Sequence, residues 1–225
     1  MQQTIKLTIS DYSAVIFDMD GLVLDTETTY FIAWQQAAAS MGYALSDGFC
    51  ASLSGLSGEA GTQKLLAECG VGFELSTFKQ AAGVCWHDHV RQHGIAVKHG
   101  FHDLLALIVQ HDIPYCLATN SRTINARECL ALAGLPDVFD LIISRDDVQY
   151  GKPAPDIFLC AAARLQVPIE QCLVLEDSHA GIVAATQAGA FSVFVPSMLP
   201  IDPLTLALCD VMLPDLRAVR ESFRA

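Results

Sequence analysis

The sequence predicts an α/β protein: a parallel sheet covered by helices on both faces, interrupted after its first strand by an all-helical insert. Three observations carry this expectation. From Lys98 onward, short apolar runs of strand length alternate with stretches of helical periodicity. Several of the apolar runs end abruptly in polar residues, three of them in carboxylates. Between Thr28 and Val97, roughly 70 residues, no strand pattern occurs, and that is too long for an ordinary connection between a strand and its neighbour.

Taken in order, Ser13–Phe17 is an apolar run ending in acidic Asp18-Met19-Asp20, as suits a buried parallel strand. After Leu24-Asp25-Thr26-Glu27 the pattern turns helical, with Tyr30, Phe31, Trp34, Ala38 and Met41 on one face and Gly42 as a stop. Phe31, Trp34 and Met41 are expected to form the core of the insert. Two further helices are expected near Glu59–Cys69 and Ser76–His93. The alternation then runs helix Phe101–His111, strand Ile113–Ala118, helix Ser121–Ala133 closed by Gly134, and strand Leu141–Ile143. Helix Pro155–Leu165, strand Cys172–Leu175, helix Ser178–Ala188 and strand Phe191–Val195 come next, then a strand near Asp210–Leu213 and a helix from Pro214. The expected division is a core of residues 1–27 and 98–225 around a helical domain of 28–97.

With 13 Lys+Arg against 25 Asp+Glu in 225 residues, the net charge is −12. Nucleic acid and anionic lipid both require clustered cations, so neither is expected as a partner. An anionic substrate must then be drawn in by a local cation. The eight cysteines include no C-x-x-C pair, and most lie in apolar runs, as buried small hydrophobes do. No stretch approaches the ~18 apolar residues of a membrane span. The opening MQQTIKLTIS lacks the apolar region of a signal peptide, and a reduced, cytoplasmic setting is expected, with a monomer as the working form.

In α/β sheets, ligands bind beyond the carboxyl ends of the strands. The polar residues at those ends are Asp18 and Asp20, Thr119-Asn120-Ser121, Asp146-Asp147 with Lys152, and Glu176-Asp177. Asp18 and Asp20, two apart on an extended chain, point to the same side. Neighbouring carboxylates repel unless a cation or a proton lies between them. The pair therefore suits a carboxylate nucleophile beside a general acid/base, with Mg2+ held by hard oxygen ligands. Gly21 permits the tight turn after them. Thr119-Asn120-Ser121 opens a helix, where a hydroxyl and N–H groups can hold a phosphate, and Lys152, between Gly151 and Pro153, can neutralise it. Taken singly, each has an ordinary reading as a surface turn, an acidic helix start, an N-cap or a solvated lysine.

Together, FDMDG, LATNS, GKPAPDIF and LEDSHAGI occur in this order at successive strand ends or loops. With them the sequence resembles the haloacid dehalogenase superfamily, in its β-phosphoglucomutase-like and sugar-phosphate phosphatase branch. The resemblance covers nearly the whole chain. It implies a Rossmann-like parallel sheet with a small helical cap domain that closes over the substrate. It also implies that Asp18 is the nucleophile and forms an aspartyl-phosphate, while Asp20 is the acid/base. It assigns Mg2+ to Asp18, the carbonyl of Asp20, Glu176 and Asp177. Thr119, the backbone at Asn120, and Lys152 match the phosphate-holding positions. The expected function is Mg2+-dependent hydrolysis of a small phosphorylated metabolite such as a sugar phosphate.

Departures narrow this. Dehalogenases lack a carboxylate two residues after the nucleophile, so Asp20 argues against carbon–halogen cleavage. The mutase carries a basic residue in its cap loop, G-x-S-R, where this chain has Gly55-Leu56-Ser57-Gly58. Phosphonatases use a cap lysine, and no motif places Lys64 or Lys79 in that role. A phosphomutase, and a catalytically idle metabolite-binding protein on the same fold, are the alternatives. His89 and His93, i and i+4, could share a helix face as Zn ligands, but without a third ligand they read as surface, as does His179. GLSGEAG lacks the spacing of a dinucleotide loop, and no P-loop motif occurs.

Overall fold

The computed structural model describes residues 6–53 and 58–224. It divides into two compact units, one formed by the chain up to Leu24 together with the residues from Ala96, the other by Asp25–Ile95. The sequence placed those junctions at 28 and 97. The difference arises because Asp25 already caps the first helix, its side chain accepting from the Thr28 N–H, while Leu24 pairs with Asp20 and Val97.

In chain order the strands are β1 (Leu7–Thr8), β2 (Ala14–Phe17), β3 (Tyr115–Ala118), β4 (Ile142–Ile143), β5 (Cys172–Glu176), β6 (Phe191–Phe194), β7 (Val211–Met212) and β8 (Phe223–Arg224). The helices are α1 (Thr26–Ser40), α2 (Asp47–Ala51), α3 (Gly58–Cys69), α4 (Leu75–His93), α5 (Phe101–Gln110), α6 (Thr123–Leu132), α7 (Asp156–Leu165), α8 (His179–Ala188), α9 (Pro203–Leu208) and α10 (Leu216–Ser222). Six strands form one sheet in the order β4-β3-β2-β5-β6-β7, every neighbouring pair parallel. This is the doubly covered parallel sheet that the alternation implied. The run read as the first strand, β2, lies at its centre, with Ile16 in register with Cys116 on one side and Val174 on the other.

Being central, β2 is buried along its whole length and alternates between two cores. Ala14 and Ile16 join Val174, Ile157, Phe158, Ala161, Ala184 and Ala185, where α7 and α8 cover the sheet with small side chains. Phe17 turns to the other face and meets Phe101 and Phe139, with ring centroids 5.7 and 5.8 Å away. The buried residues of α5, Phe101, Leu104 and Ile108, follow the helical period read from the sequence.

The insert has no strand among its described residues, as expected, and four helices there where the sequence suggested three. Phe31, Trp34 and Met41 pack against the insert's core, which includes Ala38, as expected, and only Tyr30 departs from the expected face. Of the stripe Tyr30, Phe31, Trp34, Ala38 and Met41, Ala38 is fully buried, Phe31, Trp34 and Met41 are half-buried, and Tyr30 is exposed. The deepest stripe is Thr26, Thr29, Ala33 and Ala37, small residues that let α1 lie close against α4. Trp86 of α4 donates its indole N–H to the Thr29 hydroxyl, 2.9 Å away, so the polar atoms of that contact are satisfied. The larger aromatics sit on the flank. Tyr30, Trp34 and Trp86 help to wall a cavity of about 370 Å³ within the insert, and Tyr30 stacks on Trp86 at 5.5 Å.

Three features escaped the sequence pattern: the parallel β1–β8 pair and the short helices α2 and α9. Each is too short to show a period. All eight cysteines are free thiols, four of them buried. No helix among the described residues is long and apolar enough to cross a membrane.

Phe101 is fully buried at the ring cluster beneath β2. Phe101→Ala is expected to lower the free energy of unfolding by about 3–5 kcal/mol, measured by urea denaturation.

Candidate active site

The carboxyl end of the sheet gathers side chains from β2, β3, β5 and the loop before α7. Asp18 comes directly after the last residue of β2, and its N–H donates to the Leu175 carbonyl at 3.0 Å, so the strand pairing itself places the carboxylate. Glu176 is the last residue of β5 and is fully buried. Lys152 is buried too, and its ammonium donates to Asp18 Oδ1 at 2.5 Å, Glu176 Oε1 at 2.5 Å and the Ala118 carbonyl at 2.8 Å. A lysine ammonium has three N–H donors, so all are engaged. Burial alone would lower its pKa, but Asp18 and Glu176 outweigh that and hold it above the usual lysine value.

Glu176 is equally constrained. Its Oε2 accepts from the Asp177 N–H, the Ser178 N–H and the Ser178 hydroxyl at 3.0–3.1 Å, while Oε1 accepts from Lys152. Three of these donors crowd Oε2, while Oε1 meets Lys152 alone and keeps an acceptor site. Ser178 also caps α8 through Gly181 N–H, as the sequence suggested for that helix start.

Asp20 turns toward β3, its Oδ2 accepting from the Ser121 hydroxyl at 3.0 Å and the Thr119 hydroxyl at 3.4 Å. Thr119 is buried. Asn120 makes a reciprocal pair with the backbone of Lys152: Oδ1 accepts its N–H at 2.8 Å and Nδ2 donates to its carbonyl at 3.0 Å. Thr119-Asn120-Ser121 does not open the helix, however. α6 begins at Thr123, because Ser121 N–H folds back on the Thr119 hydroxyl at 3.0 Å. The Thr123 N–H is taken by the Asp146 carboxylate at 3.0 Å. That N–H and its neighbour Arg122 hold Asp146 below the usual aspartate range. Asp147 closes a capping box on Ser144. Asp146 and Asp147 are thus local braces and do not join the acidic cluster.

Three glycines make room for this packing. A Cβ on Gly181 would lie 1.8–2.1 Å from the Glu176 carboxyl, one on Gly21 would lie 2.1 Å from Asp177 Oδ2, and one on Gly151 would lie 2.4 Å from Asn120 Oδ1. Sequence reasoning assigns Gly21 only its turn, which its φ of +86° bears out, and assigns the other two no role in the site. Their signal, proximity to a motif acid or lysine, is present but nonspecific.

Asp18, Glu176 and Asp177 offer carboxylate oxygens within 4.8 Å of one another. Burial pushes the Asp18 carboxyl up, to about 8; Lys152 opposes this, while Glu176 and Asp20 add to it. With Asp20, the site holds four carboxylates and one ammonium. Hard oxygen donors carrying excess negative charge fit a small divalent cation, which would remove the repulsion. Among the described residues no other group of His, Cys, Asp and Glu has this geometry, His89 and His93 included. His179 turns to α9, its Nδ1 2.8 Å from the Thr205 hydroxyl.

Residues 15–195 match the model of the family described as haloacid dehalogenase-like hydrolase. The chain is 32% identical over 179 residues to a phosphorylated carbohydrates phosphatase of Thermotoga maritima, covering 78% of this chain and 81% of that protein. It is 31% identical over 222 residues to the β-phosphoglucomutase of Bacillus subtilis, covering 94% and 96%. A Thermotoga maritima crystal structure provisionally named a β-phosphoglucomutase superimposes with a TM-score of 0.79 at 28% identity, over 93% of this chain and 97% of that one.

If Gly181 is the space that Glu176 occupies, Gly181→Ala should destabilise the protein by about 1–3 kcal/mol. Gly48→Ala, in α2 with open space around it, should leave stability unchanged or raise it by about 0.5–1 kcal/mol. Parallel urea titrations separate the two.

Proposed function

From its membership of the haloacid dehalogenase-like hydrolases, to which this chain belongs, we propose a phosphatase of small phosphorylated metabolites, sugar phosphates foremost, that works through Asp18 with Mg2+. The observation that carries this is the buried Asp18–Lys152–Glu176 cluster with Asp177 beside it, which fixes one carboxylate at a strand end and surrounds it with charge suited to a phosphoryl group. The phosphorylated carbohydrates phosphatase among its relatives supports the substrate class.

Asp18 attacks phosphorus in line, forming an acyl phosphate as the bond to the leaving alcohol breaks, and Asp20 gives that alcohol its proton. Water then attacks the phosphorus, Asp20 takes its proton, and orthophosphate leaves with Asp18 restored. Lys152 balances charge on the phosphoryl oxygens and on Asp18 throughout, while the Thr119 hydroxyl and the backbone at Asn120 hold the oxygens in place. Asp18, the Asp20 carbonyl, Glu176 and Asp177 are assigned as the residues that would hold Mg2+. Mg2+ supplies charge neutralisation where phosphoryl charge develops.

The β-phosphoglucomutase likeness over 94% of the chain favours one second reading, phosphate transfer between positions of a sugar. In the loop Gly55-Leu56-Ser57-Gly58 the first three residues lie outside the described ones, and Gly58 opens α3 without a charge to offer a second phosphate. Lys64 donates to the Ser52 carbonyl at 3.0 Å, and Lys79 lines the apolar cavity of the insert.

Asp18→Asn is expected to abolish release of orthophosphate from an aryl phosphate, and excess chelator to do the same until Mg2+ is restored. Full activity in either case contradicts the mechanism. With β-glucose 1-phosphate, orthophosphate is the expected product, unstimulated by a sugar bisphosphate. Rapid appearance of glucose 6-phosphate with little orthophosphate would establish the mutase instead.

A further inference from the structure

We propose that the Asn120 side chain is the positioning residue for Lys152, a clamp that sets the lysine backbone so that its ammonium reaches Asp18 and Glu176. The inference rests on the reading of Lys152 as the cation of the phosphatase site. Both polar atoms of the Asn120 amide are spent on one residue, Oδ1 on the Lys152 N–H at 2.8 Å and Nδ2 on the Lys152 carbonyl at 3.0 Å. This reciprocal pair works like one rung of a β-ladder, fixing the peptide on each side of the Lys152 Cα.

The clamp matters because the lysine side chain beyond it has no slack. That side chain is four methylenes long, and its ammonium must meet three acceptors at 2.5, 2.5 and 2.8 Å. A small backbone shift would break one of those bonds and leave a buried charge unpaired. Gly151, immediately before Lys152, restricts the backbone little on its own account. Its absent Cβ is also what admits the clamp, since that atom would lie 2.4 Å from Asn120 Oδ1. The loop is braced from its other end by Arg145, whose guanidinium donates to the carbonyls of Val148 at 2.7 Å and Gln149 at 3.0 Å. The Asn120 backbone remains assigned to the phosphoryl group, so one residue serves the site twice: through its main chain toward substrate and through its amide toward the lysine.

The test uses protein labelled with 13C and 15N in its five lysines, of which Lys152 alone is buried. A single ammonium signal with slow hydrogen exchange is expected in the wild type and is assigned by its loss in Lys152→Met. Asn120→Ala should speed that exchange at least tenfold and lower kcat for an aryl phosphate roughly tenfold to a hundredfold, with a smaller change in KM. Gly151→Ala, which crowds the amide from the other side, should do the same. Asn120→Asp keeps the acceptor for the Lys152 N–H and should fall between, and it is the variant read if Asn120→Ala does not unfold cooperatively. Unchanged exchange in these variants, altered exchange with kcat within twofold of wild type, or no protected ammonium in the wild type would each overturn the proposal. An inactive wild type with the expected exchange pattern would instead count against the phosphatase reading and leave the clamp standing.

Discussion

One buried ammonium organises the catalytic end of this molecule. Lys152 is removed from water and is stable there only because two carboxylates and a carbonyl accept its three N–H groups. Those acceptors come from three adjacent strands: Asp18 after β2, Ala118 at the end of β3 and Glu176 at the end of β5. The lysine therefore ties together the carboxyl ends of the three central strands, and the parallel register is what brings the acceptors to one level. The remaining details serve that arrangement. Small residues in α7 and α8 let the helices lie close, and Gly181 leaves the volume that the Glu176 carboxyl fills.

The same arrangement explains why the centre wants a further cation. One ammonium cannot balance Asp18, Asp20, Glu176 and Asp177, and burial raises the cost of the Asp18 charge. Glu176 shows how the protein divides the load. Its Oε2 is given to the start of α8, while its Oε1 holds Lys152. Asp18, Glu176 and Asp177, whose oxygens lie within 4.8 Å of one another, are the residues proposed to share a metal.

Much of this is legible in the residue order, for a definite reason. A buried parallel strand is a continuous apolar run, and its end is marked by the first polar residue, so SAVIF before DMD and CLVL before ED announce both the strands and their chemistry. What stays hidden is what depends on distant partners. Nothing local says that Asp146 would take the first N–H of α6, at Thr123, or that Asp147 would close on Ser144. The β1–β8 pairing joins residues from opposite ends of the chain in strands of two residues, too short for any period. In α1 the aromatic stripe reads as core because large apolar residues usually are. Phe31, Trp34 and Met41 do pack on that core, but packing against α4 gives the deepest positions to the small residues Ala33 and Ala37 and leaves Tyr30 exposed.

In the proposed cycle Asp18, held by Lys152, becomes covalently phosphorylated. Borohydride reduction of protein quenched during turnover converts an aspartyl-phosphate to homoserine, which mass spectrometry locates by peptide. Homoserine is expected at position 18 and nowhere else, dependent on both substrate and Mg2+. Turnover with Asp18 unmodified at every quench time, or with the label on another residue, would contradict it.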